Sequence, residues 1–276
     1  MKRFGLIGHP IAHSLSPFLF KAGYDGKYPY DLIETSDFDE AYSRFLSGYQ
    51  GINVTAPFKE LAYAKADILS DECKLIKATN LLINSPEGVK AYNSDFLGVR
   101  LWIQEVMDPA KEGQCVLITG CGGAGKAAAI AAASLGLKVI LMNRDMSKAE
   151  VIAESIDSMP ECPKAEIRTL EEFPECFRRA DIIIYNTPTA IAALDNLTDK
   201  DIQGEVAAEG ECQAKHILEA NYKNPSFTDE FIAKAVKANP EASFTDGRTW
   251  LLYQAVTGYE IFTGEKPDLA SMSAVL

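Results

Sequence analysis

The sequence predicts a two-domain α/β protein with mostly parallel sheets. Three observations lead there. At 276 residues the chain reaches the length at which one core stops growing and chains divide. Short apolar strands alternate with amphipathic helical stretches, the pattern of right-handed crossover units. Near residue 120 an apolar strand runs directly into a glycine-rich loop and an alanine-rich helix.

Taken in order, residues 3–7 read as a strand closed by Gly8. Residues 16–24 open on Ser-Pro and continue at helical spacing, so they read as a helix with Ser16 as N-cap. Residues 30–34 and 51–54 are short strands, and the helix between them, 38–47, is stopped by Gly48. Residues 81–84 and 88–92 form a hairpin about Pro86-Glu87. Residues 97–107 are helical by the apolar positions Leu97, Leu101 and Val106, and Asp108-Pro109 ends that helix. In the second block 114–119 is a buried strand, 126–135 a helix, and 138–142, 181–185 and 216–220 are further strands. A last helix, 249–262, follows them.

Composition narrows the function classes. Hydrophobic residues make up 47% and charged residues 24%, as in ordinary globular chains. A net charge of -12 without a Lys/Arg run opposes a nucleic-acid partner. Cys73, Cys115, Cys121, Cys162, Cys176 and Cys212 form no Cys-x-x-Cys pair, and with His9, His13 and His216 they give no zinc spacing. The stretch 127–142 is interrupted by Ser134, Gly136 and Lys138, so no membrane span is expected, and residues 4–7 are too short for a secretion signal. A reduced, cytoplasmic setting is the expectation.

Chemistry concentrates in four places. Gly120-x-Gly122-x-x-Gly125, with Gly123 and Ala124 inside it, lies between strand and helix, where backbone N–H groups and the helix N-terminus attract a pyrophosphate. This makes the second block, about 99–241, a Rossmann-type dinucleotide-binding domain. The next strand ends in Asn143-Arg144, an amide and a forked guanidinium that suit a ribose 2′-phosphate, so NADP is favoured and NAD is the alternative. Lys148 adds a cation one turn on, whereas the Asp145 carboxylate opposes the phosphate. Ser14 and Ser16 place two hydroxyls near a helix start, either for one carboxylate or for capping alone. Lys59 follows a strand end, where ligands gather in open sheets, and Asp95 stands just before the presumed domain junction, where clefts form. Each alone reads more simply as a solvated lysine or an N-cap. Together they make a proton-handling pair.

At these residues the chain resembles the shikimate dehydrogenase family, nearly end to end. Gly8-His9-Pro10-Ile11-Ala12-His13-Ser14-Leu15-Ser16-Pro17 resembles that family's opening signature. The segment from Asn53 to Glu60 resembles its lysine motif, Ala78-Thr79-Asn80 its Ala-Val-Asn, and Asn93-Ser94-Asp95 its Asn-Thr-Asp. The glycine loop, Asn143-Arg144, Asn186-Thr187-Pro188, Tyr222 and Asp246-Gly247 with Gln254 follow in the family's order. It departs from the family pattern at Ser94, Asp145, Glu219 and Arg248-Thr249-Trp250.

The resemblance implies a function. The chain would reduce 3-dehydroshikimate to shikimate, reversibly and with NADPH, in aromatic amino acid biosynthesis. Residues 1–98 with 242–276 would form the substrate-binding and catalytic domain, the last helix returning to it, and 99–241 the dinucleotide-binding domain. Ser14, Ser16 and Tyr222 would hold the substrate carboxylate, and Thr55, Asn80, Asp95 and Gln254 the ring hydroxyls. Lys59 and Asp95 would be the catalytic pair, and Asn143 and Arg144 would meet the ribose phosphate, with Asn186 and Thr187 also at the cofactor. The partner is a small molecule, with no nucleic acid and no membrane, and the chain acts as a monomer or homodimer. Alternatives are an NAD-accepting quinate/shikimate dehydrogenase and a non-catalytic metabolite- or nucleotide-binding protein. A methylene-folate dehydrogenase-like enzyme would leave the hydroxyl-rich pocket unexplained.

Overall fold

A computed structural model of the chain describes residues 2–107, 113–205 and 212–276. The expected helix stop at Asp108-Pro109 lies outside these residues. By internal contact the chain divides into Met1–Gly98 with Leu251–Leu276, and Val99–Trp250.

The first unit is built on a six-stranded sheet. Its strands are β1 (Phe4–Gly8), β2 (Tyr30–Glu34), β3 (Gly51–Val54), β4 (Ile68–Leu69), β5 (Leu81–Ser85) and β6 (Gly88–Tyr92), ordered β2-β1-β3-β5-β6-β4. β1 runs parallel to β2 and β3, as strands joined by the helices Ser16–Gly23 and Phe38–Gly48 must. β5 turns antiparallel to β3 and pairs with β6 as the expected hairpin. Apolar side chains cover both faces. Ile7, Ile52, Phe45 and Phe58 pack on one side, and Phe4, Phe20, Tyr259 and Phe262 on the other. The second group draws on the helix Gly247–Thr263, whose Tyr259 ring meets Phe20 edge-on. That part of this helix therefore belongs to the first unit's core, and a further short helix, Leu269–Ser273, follows it.

One expected cap is corrected. Ser16 is the first residue of its helix, Leu15 holds the N-cap position, and no side chain caps there. The Ser14 hydroxyl instead accepts from the Ser16 amide at 3.2 Å. Pro17 supplies no amide hydrogen, so the first turn needs less capping.

The second unit carries a fully parallel sheet. β7 (Cys115–Thr119), β8 (Lys138–Met142), β9 (Glu166–Arg168), β10 (Ile182–Tyr185), β11 (Lys215–Glu219) and β12 (Ala242–Asp246) are ordered β12-β11-β10-β7-β8-β9. This is the doubly wound order, with its switch point between β7 and β10. Because helices cover both faces, β7 and β10 are buried along their whole length and β8 is buried after Lys138, so all three read as apolar runs. The helix Gly123–Ser134 is buried from Ala127 to Ala133, and its small side chains let it lie close to the sheet. β12 pairs with β11 from Lys215 opposite Ala242 to Glu219 opposite Asp246, so residues 242–250 pack with this unit. Among the described residues no helix is long and apolar enough to cross a membrane.

Candidate active site

In the first unit the lysine and the aspartate meet. After β3 the Thr55 amide donates to Ile7 O at 3.0 Å, the chain reverses, and the Phe58 amide donates back to Thr55 O. Phe58 is buried in the core and fixes the turn. Lys59 is then the first residue of the helix Lys59–Lys65, and its carbonyl accepts from the Thr79 amide at 3.1 Å. Asp95 lies in the first turn of the helix Ser94–Val106. The cap of that helix is Asn93, whose Oδ1 accepts from the Phe96 amide at 3.1 Å. Asn93 takes the capping role, and the Asp95 carboxylate instead receives Lys59 Nζ at 2.5 Å. Both side chains are partly sheltered, 27% and 17% exposed, which strengthens the pair over one in open water while leaving it reachable.

Two of the predicted hydroxyl-binding residues, Asn80 and Gln254, are joined through Ser94, the residue before Asp95. Ser94, fully buried, donates its amide to Asn80 Oδ1 at 2.7 Å. Its hydroxyl accepts from Asn80 Nδ2 at 3.0 Å and donates to Gln254 Oε1 at 3.1 Å. With its oxygen so held, Gln254 keeps its Nε2 end for donation outward. Thr55 is half-buried at the end of β3, and a Cβ at Gly8 would collide with its methyl group.

Ser14 and Ser16 hydroxyls stand 3.1 Å apart. Tyr259 donates to Ser16 O at 3.1 Å, and Tyr30 donates to Asn53 Oδ1 at 2.8 Å. Burial raises the pKa of both phenols above the ordinary tyrosine value, so they act as neutral donors. Asn53 in turn donates to Asn80 O at 3.3 Å, which ties the serine end to the amide network. Sequence reasoning left out Tyr30 and Tyr259 and gave Ser94 no role. Hydroxyls spaced within apolar runs were the available signal, but it does not say where they point.

In the second unit the glycine loop behaves as expected. Gly120 has φ +85°, open to glycine without strain, and its amide donates to Met142 O at 2.8 Å. A Cβ on Gly125 would overlap the Gly120 carbonyl, so the third glycine lets the helix approach. A Cβ on Gly122 or Gly123 meets nothing, which leaves the second glycine facing open space. Asn143 accepts from the Cys121 amide at 3.0 Å and donates to Asp145 O at 2.8 Å, locking the loop to the end of β8. Burial pushes the Cys121 thiol up to about 12, so it is inert packing.

A cavity of about 670 Å³ opens here, lined by Gly120, Gly122, Arg144, Lys148, Asn186 and Thr187 among others. Asn186 Oδ1 and Thr187 Oγ1 are buried on its wall without a hydrogen-bond partner. Such orphaned acceptors, with two glycines open to the cavity and two cations at its rim, fit a dinucleotide. Asp145 also lines this cavity, and its carboxylate is hydrogen-bonded. It caps the helix Met146–Asp157, accepting from the Ser147 hydroxyl at 2.7 Å and amide at 3.2 Å. Those bonds hold its pKa below the ordinary carboxylate value. Tyr222 lies in this unit, in the loop after β11.

A doubly wound sheet with this loop at its switch point, joined in one chain to a lysine–aspartate pair, defines an oxidoreductase that works with a dinucleotide. Comparison with known proteins narrows the class. Residues 6–82 match the family described as shikimate dehydrogenase substrate binding domain, and residues 103–207 that described as shikimate / quinate 5-dehydrogenase. The shikimate dehydrogenase (NADP(+)) of Caldanaerobacter subterraneus subsp. tengcongensis is 31% identical, over 96% of this chain and 92% of that one. The shikimate 5-dehydrogenase structure from Mycobacterium fortuitum is similar at TM-score 0.80 and 26% identity, covering 100% of this chain and 97% of that one. The quinate dehydrogenase of Corynebacterium glutamicum in complex with NAD is similar at TM-score 0.82, covering 99% and 98%, and at 23% identity it speaks for the fold alone. The chain belongs to the shikimate dehydrogenase family.

Proposed function

We propose that the chain catalyses the reversible NADPH-dependent reduction of 3-dehydroshikimate to shikimate. The observation that carries this reading is the 2.5 Å contact of Lys59 with Asp95, set beside the Asn80–Ser94–Gln254 network. The nicotinamide cofactor supplies the hydride when bound. As the 3-keto carbon takes a hydride, charge grows on its oxygen, and the Lys59 ammonium stabilises that charge and gives it a proton. Asp95 orients the ammonium and bonds a neighbouring ring hydroxyl. Asn80, Gln254 and Thr55 hold the remaining ring hydroxyls, while Ser14, Ser16 and Tyr222 take the carboxylate. In the second unit Gly120, Gly122, Gly123, Ala124 and Gly125 would cradle the pyrophosphate, with Asn186 and Thr187 beside it.

Arg144, with Asn143 and with Lys148 at the same cavity, would hold the 2′-phosphate of NADP, two cations against the Asp145 carboxylate. Replacing Arg144 by Ser is expected to raise the KM for NADP about tenfold to hundredfold, the value of a charge-assisted bond, while leaving that for NAD within about twofold. Steady-state titration of each cofactor checks this, and an unchanged NADP constant refutes the assignment. The function itself is tested by initial rates with shikimate and with quinate, each with NADP and NAD. Shikimate with NADP is expected to be fastest. Rates led by quinate with NAD would instead identify an NAD-accepting quinate/shikimate dehydrogenase, and binding without reduction a sensor. Part of the same reading are a cytoplasmic setting, supported by six unpaired thiols, and a monomeric or homodimeric chain.

A further inference from the structure

We infer that Ser94 is a positioning residue whose hydroxyl fixes which end of the Gln254 amide meets the substrate, so that Gln254 takes a ring hydroxyl as a hydrogen-bond acceptor. The inference rests on the reading of Gln254 given above, and every residue it uses lies in the first unit. Ser94 and Asn80 are 0% and 4% exposed, and Gln254 is half-buried beside them. Two glycines bring the three together. A Cβ on Gly98 would run into the Gln254 amide nitrogen, and one on Gly258 would crowd Ser94 and Leu81.

The polarity of this group is set from the backbone outward. The Ser94 amide donates to Asn80 Oδ1 at 2.7 Å, so the Nδ2 end of Asn80 faces the Ser94 hydroxyl and donates to it at 3.0 Å. That hydroxyl accepts there and has a single proton to give. Asn80 Oδ1 lies 3.3 Å away and already holds the backbone amide, whereas Gln254 Oε1 lies at 3.1 Å. The proton therefore goes to Gln254, whose Oε1 also receives Asn80 Nδ2 at 3.4 Å. Turned the other way, Gln254 would set its own N–H groups against those of Asn80 and leave the buried serine proton only the longer bond. Buried donors left short of acceptors are costly, so the amide keeps its direction. What it offers beyond the group is Nε2, which donates and cannot accept. Asn80 would keep its direction without the serine hydroxyl, because a backbone amide holds it. Gln254 has no such anchor.

The test uses the full-length chain with Ser94→Ala, Ser94→Thr, Gln254→Ala, and the two alanine changes combined. Steady-state rates are measured with NADP and shikimate, and with analogues that lack the hydroxyl at C4 or at C5. The hydroxyl held by Gln254 is the one whose removal makes Gln254→Ala match the wild type. Ser94→Ala is expected to raise the KM for shikimate about tenfold, the value of one hydrogen bond, with kcat within about threefold. Ser94→Thr returns the hydroxyl and should stay within about twofold of the wild type. With the analogue that lacks the hydroxyl held by Gln254, and in the Gln254→Ala background, Ser94→Ala should cost less than about twofold, because its effect runs through that amide. An unchanged KM for shikimate in Ser94→Ala overturns the inference. So does a loss of the same size with that analogue or in the Gln254→Ala background, or a Ser94→Thr as impaired as Ser94→Ala, each of which would mark Ser94 as a packing residue alone. A wild type that does not oxidise shikimate overturns the proposed function and this inference with it. A Gln254→Ala that loses nothing with shikimate, or a loss that neither analogue abolishes, overturns the reading of Gln254 and likewise this inference. A wild type active on shikimate and a sensitive Gln254→Ala beside an unaffected Ser94→Ala overturn the inference alone.

Discussion

Lys59→Ala is expected to lose about a thousandfold in kcat while its KM for shikimate changes only a few-fold, because a proton donor acts on the transition state and not on the bound ground state. A thousandfold corresponds to about 4 kcal/mol of barrier. Lys59→Arg keeps the positive charge beside Asp95 but holds its proton too tightly to give it up, so it should recover binding and little turnover. Asp95→Asn keeps the shape and removes the charge that orients Nζ, now 2.5 Å away, and about a hundredfold loss is expected. Single-turnover rates with NADPH and 3-dehydroshikimate isolate the chemical step from product release. Turnover of Lys59→Ala within a few-fold of wild type would end the assignment of the proton to this lysine.

Lys59 and Asp95 were paired from the sequence because one follows a strand end and the other stands just before the expected domain junction, and the contact expected between them closes 36 positions of chain through a sheet whose strand order is not sequential. Four strands of the second sheet were readable, most plainly β7 and β10, whose buried faces leave a nearly unbroken apolar run, whereas β9 (Glu166–Arg168) and β12 (Ala242–Asp246), short or polar and only partly buried, were not. The helices Lys59–Lys65 and Asp71–Ile76 were not, since six or seven residues are too few for a helical period to show. β4 is only two residues long and exists through its pairing with β6. One cap was misplaced by one residue, and a second was taken by a neighbour of the residue that offered it. Leu15 stands at the cap position where Ser16 was expected, and Asn93 does the capping for which Asp95 was the simpler candidate. The acidic residue that seemed to argue against NADP is a cap too, and its side-chain direction was invisible in the string. Asn80 and Gln254 are 174 positions apart and share a bond only once the last helix has folded back. Local rules therefore recover which residue types gather, and the fold decides which atom of each is left for chemistry.

The largest stability effect is expected at Lys215, which no motif marks. It is wholly buried, and its Nζ donates to the carbonyls of Phe177, Arg178 and Ala180 at 2.8, 2.9 and 2.7 Å. These carbonyls, at the C-terminal end of the helix Phe173–Arg179 and just beyond it, lack partners inside the helix and form the negative end of its dipole, which the ammonium faces. Its three donors meet these three carbonyls, with Gln213 Oε1 a fourth, longer acceptor at 3.4 Å, and only the ammonium form supplies all three. Burial opposes that form and lowers the pKa from 10.5 to about 8, Asp181 pulling partly back. Lys215→Met keeps the stem and abandons three buried carbonyls. At roughly 1 kcal/mol or more for each, it should cost about 3 kcal/mol and lower the melting midpoint of this unit by roughly 6–12 °C. The two tryptophans, Trp102 and Trp250, both lie in the same unit, so their fluorescence reports its unfolding. The pH dependence has a definite sign. Between about 8 and 10.5 the unfolded chain binds a proton at this lysine that the folded chain has released. Wild-type stability relative to Lys215→Met must therefore rise with pH across that window, by up to about 3 kcal/mol, and stay level below it. Other groups that titrate there are common to both proteins and cancel in the difference. Guanidinium melts of the two proteins at pH 7, 8 and 10 measure it. A variant as stable as wild type at pH 7 would show that these carbonyls do not depend on the ammonium, whereas a difference that falls with pH would show that the fold holds the proton more tightly than the unfolded chain and would overturn the lowered pKa.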